Sequence, residues 1–184
     1  MTTVYLDTSI WLSFGFSKDK NHLKALDIIK KIRSGAYVAL ISRHVLSEVL
    51  DVLKDRAVTH PTVKTSQDPK IHRNLAEAWF KGFMTKILGL PNVRIRDPTT
   101  PLVQILKDRQ QVLTQVWGNF STSNKCPICH SAFNFLEYHC PARDDALHVI
   151  IADENHCDLL LAFDEDFAIL GKLARFAHMP IQVV

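Results

Sequence analysis

The feature that most constrains the fold of this chain is an alternation. Short apolar runs at Val4–Leu6, Tyr37–Ile41 and Leu159–Phe163 are separated by longer stretches whose apolar residues fall three to four apart. Unbroken apolar runs of this length suit strands buried on both faces, as in parallel sheets covered by helices. After the first run, Asn21–Arg33 sets Leu23, Leu26, Ile29 and either Ile28 or Ile32 on one side and lysines on the other, an amphipathic helix stopped by Ser34-Gly35. Ser42 opens a further helix as its cap, with Val45, Leu46, Val49, Leu50 and Leu53 on the buried side. Helical spacing returns over Ile71–Leu88, Pro101–Trp117, Asp144–Glu154 and Phe167–Leu173, with short strands expected at Asn92–Ile95 and Ile181–Val184. Strand and helix repeated in this order predict a three-layer α/β/α sandwich around a central parallel sheet.

The chain has 184 residues, which fits a single domain spanning 1–184. Thr59–Lys70, polar and with two prolines, reads as a loop, and residues 120–142 break every period as an inserted Cys/His-rich excursion. A composition of 47% apolar and 22% charged residues excludes disordered and low-complexity classes. No stretch approaches the ~18 unbroken apolar residues of a membrane helix. The start MTTVYLD lacks the basic and then apolar regions of an export signal, so a cytoplasmic protein is expected. The net charge of +3 permits a nucleic-acid partner without requiring one.

Four acids stand where such an architecture has its working edge. Asp7 follows the first strand, Glu48 lies two turns into the helix after the second, Asp145 begins the helix DALHVIIADE, and Asp164 follows LLLAF. Singly, Asp7, Asp145 and Asp164 are also what helix caps or first-turn acids look like, and Glu48 what a surface acid looks like. Together, with no lysine or arginine to neutralise them, they would repel one another unless a cation held them. A hard divalent ion such as Mg²⁺ or Mn²⁺ prefers carboxylate oxygen, and it can activate water and stabilise charge on a phosphodiester. Phosphatases that form an aspartyl-phosphate need a second aspartate two residues after the first, and Ser9 holds that position.

The segments YLDTS, SEVL, RDDALHVIIA and LLLAFDEDF resemble, in order and spacing, the four acidic motifs of the PIN-domain ribonucleases, the family that includes the VapC toxins. The resemblance implies a helix-covered parallel sheet whose acids bind one or two Mg²⁺ or Mn²⁺ and hydrolyse RNA. By motif position, Asp7, Glu48, Asp145 and Asp164 match the metal-binding acids, and Thr8 or Ser9 matches the hydroxyl that orients the first. Asp166 matches a further acid, and Asp144 leaves a one-residue ambiguity that the D of DALH resolves towards Asp145.

The excursion holds Cys126 and Cys129 as CxxC, then His130, His139 and Cys140. A CxxC turn presents two sulfurs to a tetrahedral Zn²⁺, so a zinc-knuckle-like structural site is expected on Cys126, Cys129, His139 and Cys140. His139 and Cys140 are adjacent, which leaves His130 or Cys157 as alternative fourth ligands. CPICH also fits the haem c attachment pattern, but that linkage is made outside the cytoplasm. A thioredoxin-like pair should open a helix just after a strand, and this one does not.

Arg143, beside the acids, is the leading phosphate contact; Lys125, Lys54, Arg56, Lys64, Lys70, His72 and Arg73 read mainly as a solvated face. Trp11, Trp79 and Trp117 fit the core or a partner face better than base stacking, and His148 fits a hydrogen-bonded structural role near the cleft. The expected function is a metal-dependent endoribonuclease, either the toxin of a toxin–antitoxin pair or an RNA-processing enzyme, with RNA, an antitoxin protein and a second copy in a homodimer as candidate partners. The competing expectation is a catalytically silent nucleic-acid-binding or assembly module on the same fold.

Overall fold

A computed structural model describes residues 1–66, 68–120 and 142–184, apart from the side chains at 120, 142 and 143. The elements run β1 (Thr2–Leu6), α1 (Thr8–Gly15), α2 (His22–Arg33), β2 (Tyr37–Ile41), α3 (Arg43–Thr59), α4 (Pro69–Leu88), β3 (Val93–Ile95) and α5 (Leu102–Phe120). After the segment outside the description come α6 (Ala142–Glu154), β4 (Leu159–Ala162), α7 (Phe167–Leu170), a 3₁₀ turn at Ala174–Phe176 and β5 (Ile181–Val183).

The strands form one sheet in the order β3-β2-β1-β4-β5. Every pairing is parallel, with Val4 opposite Ala39 on one side and Leu159 on the other. The apolar runs explain the order. Val4, Tyr5 and Leu6 in β1 and all four residues of β4 are buried, as central strands must be, whereas β3 and β5 carry exposed Arg94 and Gln182 at the sheet edges. The helices α1 to α4 pack on one another, and α5 packs on α6, which gives the two helical layers. Because all strands run the same way, the chain leaves β1, β2 and β4 at one edge of the sheet. Strand order reverses between β1 and β4, and the crevice at such a reversal is where open α/β sheets bind ligands.

Several boundaries differ from the sequence expectation. A helix starts directly at Thr8, with the Asp7 carboxylate accepting the Ser9 backbone N–H at 3.0 Å as its cap. In α2 the buried stripe is Ala25, Ile28, Ile29 and Ile32, and Leu23 is exposed. The last helix stops at Leu170, because Gly171 and the turn after it carry the chain into β5. Gly35 takes a positive φ of 77° where α2 turns into β2, a backbone region open to glycine with little strain. Ser42 caps α3 as expected, accepting the Val45 N–H at 3.3 Å.

Candidate active site

Each acid reaches the switch-point edge by its own element. Asp7 ends β1, and its backbone N–H donates to the Leu161 carbonyl of β4 at 3.0 Å, so the first and last acidic segments are tied together by the sheet. The side chain is buried, only 6% exposed. Glu48 projects from α3 and is half-buried, and Asp144 and Asp145 come from the first turn of α6, Asp145 half-buried and Asp144 exposed. Asp7, Thr8, Glu48, Asp51, Asp55, Asp144, Asp145 and His148 line a cleft of about 410 Å³. No lysine or arginine lines it among the described residues. Asp164 is exposed at the end of β4, where its carboxylate accepts the Asp166 N–H at 3.0 Å. It does not line the cleft, but its charge acts on Asp145. A larger groove of about 630 Å³ between α3 and α4, lined by Leu50, Lys54, Val58, Arg73 and Ala76 among others, gathers no comparable cluster of acids. The chemistry is concentrated in the smaller cleft.

The hydroxyls serve other groups than the expected one. Thr8 donates to Glu48, and Ser9 Oγ accepts the Phe163 N–H at 3.1 Å, so Asp7 is fixed by the Ser9 backbone instead. Glu48 is also held by His148, whose Nε2 lies 2.7 Å from Oε2 and 3.4 Å from Asp7 Oδ1. Behind it, His148 Nδ1 stands 3.0 Å from the Tyr5 hydroxyl, itself 2.8 Å from Ser42 Oγ. His44, one turn before Glu48 on α3, brings Nε2 to 3.4 Å from Oε1. Sequence reading puts Arg143 next to the acids and His148 near the cleft, but it does not single out His44. The structure places two histidines there, and the four-residue spacing of His44 and Glu48 was the available signal. Asp51 and Asp55 were missed as well, although they continue the helical face of Glu48.

These contacts divide the cleft electrostatically. Burial opposes the charge on Glu48, but the hydrogen bond and charge of His148, the Thr8 hydroxyl and His44 hold it below the usual carboxylate range. Burial likewise opposes charging of His148, and Glu48, Asp7 and Asp145 outweigh it and raise its pKa. His44 is lowered by burial and by His148, against the pull of Glu48, Asp144 and Asp7. Asp145 is pushed up to about 8 by burial, then by the charges of Asp7 and Asp164, with His148 only partly offsetting them. Asp7 and Asp145 thus meet in one cleft, with Asp164 acting on Asp145 from outside it.

Residues 4–88 match the PIN domain family model. Over that stretch the chain is similar to PIN domains. The same fold is found in Mycobacterium tuberculosis VapC20, a Sarcin-Ricin loop cleaving toxin, at 18% identity and a TM-score of 0.52, covering 92% of this chain and 96% of that one. VapBC2 from Rickettsia felis, solved bound to a DNA fragment from its promoter, matches at 13% identity and a TM-score of 0.51, covering 98% and 97%. At these identities the likeness speaks for fold. No curated protein matches the sequence. Asp7 and Glu48 lie inside the matched region, and Asp145 and Asp164 lie beyond it.

The remaining sequence candidates fall away from the cleft or outside the description. Cys126, Cys129, His130, His139 and Cys140, with Lys125 and the Arg143 side chain, lie outside the described residues. Cys157 is a core residue, its thiol pushed up to about 12 by burial and then by Asp158, which disfavours the thiolate a zinc ion needs. Lys54 pairs with Asp51 and Arg73 with Glu77, His72 bonds the Ala57 and Ser66 carbonyls, and the Arg56 guanidinium lies over Phe16. Trp11 is fully buried and Trp79 and Trp117 are half-buried, as core residues. No helix among the described residues is long and apolar enough to cross a membrane.

Proposed function

We propose that the chain is a metal-dependent endoribonuclease whose cleft hydrolyses RNA phosphodiester bonds. The observation that carries this reading is the cleft at the strand reversal, lined by Asp7, Glu48 and Asp145 with no lysine or arginine among the described residues; burial and the charges of Asp7 and Asp164 push the Asp145 carboxyl up to about 8. Carboxylates that share a cleft fit a hard divalent ion: Asp7, Glu48 and Asp145, which line it, would hold Mg²⁺ or Mn²⁺, with Asp164 joining them from the end of β4. When bound, the ion supplies positive charge that lowers the pKa of a water and neutralises the phosphodiester. The chain's own groups prepare the acids. Ser9 N–H fixes Asp7, and Thr8 and His148 hold Glu48 in one orientation. Asp144 and Asp166 add negative charge at the margin, and Arg143, next to the acids in sequence, is the candidate phosphate contact.

The shared fold with a loop-cleaving toxin and a VapBC assembly supports RNA as substrate and favours the toxin of a toxin–antitoxin pair, with an antitoxin protein as partner in the cytoplasm, over a processing role. Within a single domain spanning 1–184, the segment 120–142 serves as a zinc-binding insertion through Cys126, Cys129, His139 and Cys140. Labelled single-stranded RNA with Mn²⁺ tests the activity: wild type cleaves it, and Asp7→Asn and Asp145→Asn do not. Equal cleavage by all three would refute the assignment. Zinc content of the purified protein, with Cys126→Ser and Cys129→Ser as control, tests the insertion separately, and a metal-free reduced preparation would end that part.

A further inference from the structure

We propose that His44, Glu48 and His148 form a binding site for a transition-metal ion of borderline softness, Zn²⁺ or Co²⁺, which they select over Mg²⁺. One ligand atom from each lies within 4.8 Å of the other two. His44 and Glu48 share a face of α3, and His148 reaches the same carboxylate from α6, so Glu48 presents Oε1 to one imidazole and Oε2 to the other. The two rings tilt against each other with centroids 4.6 Å apart.

An ordinary ion pair does not account for this arrangement. His44 Nε2 is buried and has no hydrogen-bond partner, although Glu48 Oε1 stands 3.4 Å away. A buried ring nitrogen turned towards a carboxylate and not engaged in a hydrogen bond is available as a donor to a metal ion. Donors at ~2.1 Å from a tetrahedral ion stand ~3.4 Å from each other, which is the His44–Glu48 separation. His148 Nε2 meets the other carboxylate oxygen, Oε2, at 2.7 Å, so the Glu48 carboxylate stands between the two imidazole nitrogens. His148 is also oriented from behind: its other nitrogen meets the Tyr5 hydroxyl, anchored in turn on Ser42, the outer-shell support that metal-bound histidines characteristically have. Imidazole suits Zn²⁺ and Co²⁺, whereas Mg²⁺ takes oxygen ligands and keeps its waters. The side chains of His44 and Glu48 are 20% and 27% exposed, which leaves a path for entry.

This site uses neither Asp145 nor Asp164, so it stands apart from the nuclease reading, though Glu48 belongs to both groups. Zn²⁺ binding to the full chain, measured by calorimetry and equilibrium dialysis, tests it against His44→Ala. Wild type should bind one Zn²⁺ more than the variant, with that ion held at least ~100-fold more tightly than Mg²⁺, a margin larger than outer-shell changes usually produce. Co²⁺ should give visible absorption bands that weaken in His44→Ala and persist in Cys126→Ser. Circular dichroism checks that the variant is folded, and His44→Gln, polar but without an imidazole, replaces it otherwise. Equal Zn²⁺ stoichiometry in wild type and both variants overturns the proposal, as does displacement of that Zn²⁺ by equimolar Mg²⁺. RNA cleavage is not a readout, so an inactive protein leaves the result intact.

Discussion

The two flanks of the cleft handle negative charge in opposite ways. On the α3 side, Glu48 is met by Thr8, His148 and His44 and held below the usual carboxylate range. On the α6 side, Asp145 is met by Asp7 and Asp164 and pushed up to about 8. One flank carries compensating groups of its own, and the other carries mainly further acids.

The widest separation between the flanks comes from removing one acid on each. Glu48→Gln and Asp145→Asn should each lower Mn²⁺-dependent RNA cleavage by at least about 100-fold, the scale seen when one electrostatic group is lost from a catalytic site. Their stabilities should diverge. Asp145→Asn relieves repulsion and raises the melting temperature of the metal-free protein, whereas Glu48→Gln strips His148 and Thr8 of their charged partner and costs about 1–3 kcal/mol. Thermal melts in chelator read the difference directly. A parallel shift of both variants would erase the distinction between the flanks.

The pH dependence of the metal-free protein sharpens the same contrast, on the order of a few kcal/mol. Asp145 keeps its proton in the native state long after its unfolded counterpart, with an ordinary value of 3.8, has lost it, so its contribution destabilises progressively as pH rises from about 4 to about 8. His148 has the same sign: raised in the native state, it stabilises below its ordinary 6.5 and loses that contribution as pH rises through its higher native value. Glu48, lowered, contributes above its ordinary 4.5 and loses that only as pH falls through its native value. His44, lowered, acts in the opposite sense and gains stability as pH rises through its ordinary 6.5. The melting temperature should fall between about pH 5 and about pH 8, because Asp145 and His148 outweigh His44, and Asp145→Asn should remove the larger part of that decline. A profile that rises over this interval in wild type would contradict the charge assignment.

What the sequence made legible follows the reach of local rules. The strands were readable because buried parallel strands are apolar runs, and Asp7, Asp145 and Asp164 because each adjoins such a run or opens a helix. The first helix was not read, since its cap, Asp7, also had the look of a site residue, and it is both. The rotation of α2 that exposes Leu23 is set by packing on α1, which no local period encodes. His148 reads from the sequence as a hydrogen-bonded histidine near the cleft, but its pairing was out of reach: His148 and Glu48 are 100 residues apart, and the Tyr5 hydroxyl that meets His148 is hidden in what reads as an apolar strand.

Tyr5→Phe isolates that hidden support. The ring stays in the core, but Ser42 and His148 Nδ1 lose a buried partner, at a cost of about 1–3 kcal/mol in denaturant unfolding. The Asp145 flank should be indifferent, so the pH-dependent decline assigned to it should keep its slope. A changed slope would mean that the flanks are coupled through the sheet.

The smallest effect bears on how the α3 flank shares its work between Thr8 and His148. Thr8 is buried at the start of α1 and its hydroxyl donates to the same Glu48 oxygen that His148 approaches. Thr8→Val keeps the shape and removes the donor, and with His148 still in place the loss should be about 1 kcal/mol. Thr8→Ser keeps the donor and removes a methyl group, at a similar or smaller cost. The discriminating measurement is the carbon chemical shift of the Glu48 carboxylate against pH: its titration should move up in Thr8→Val and stay put in Thr8→Ser, because only the first removes a hydrogen bond to the ionised form. If the titration is unmoved in both, His148 alone holds the charge, and the hydroxyl at this position serves packing.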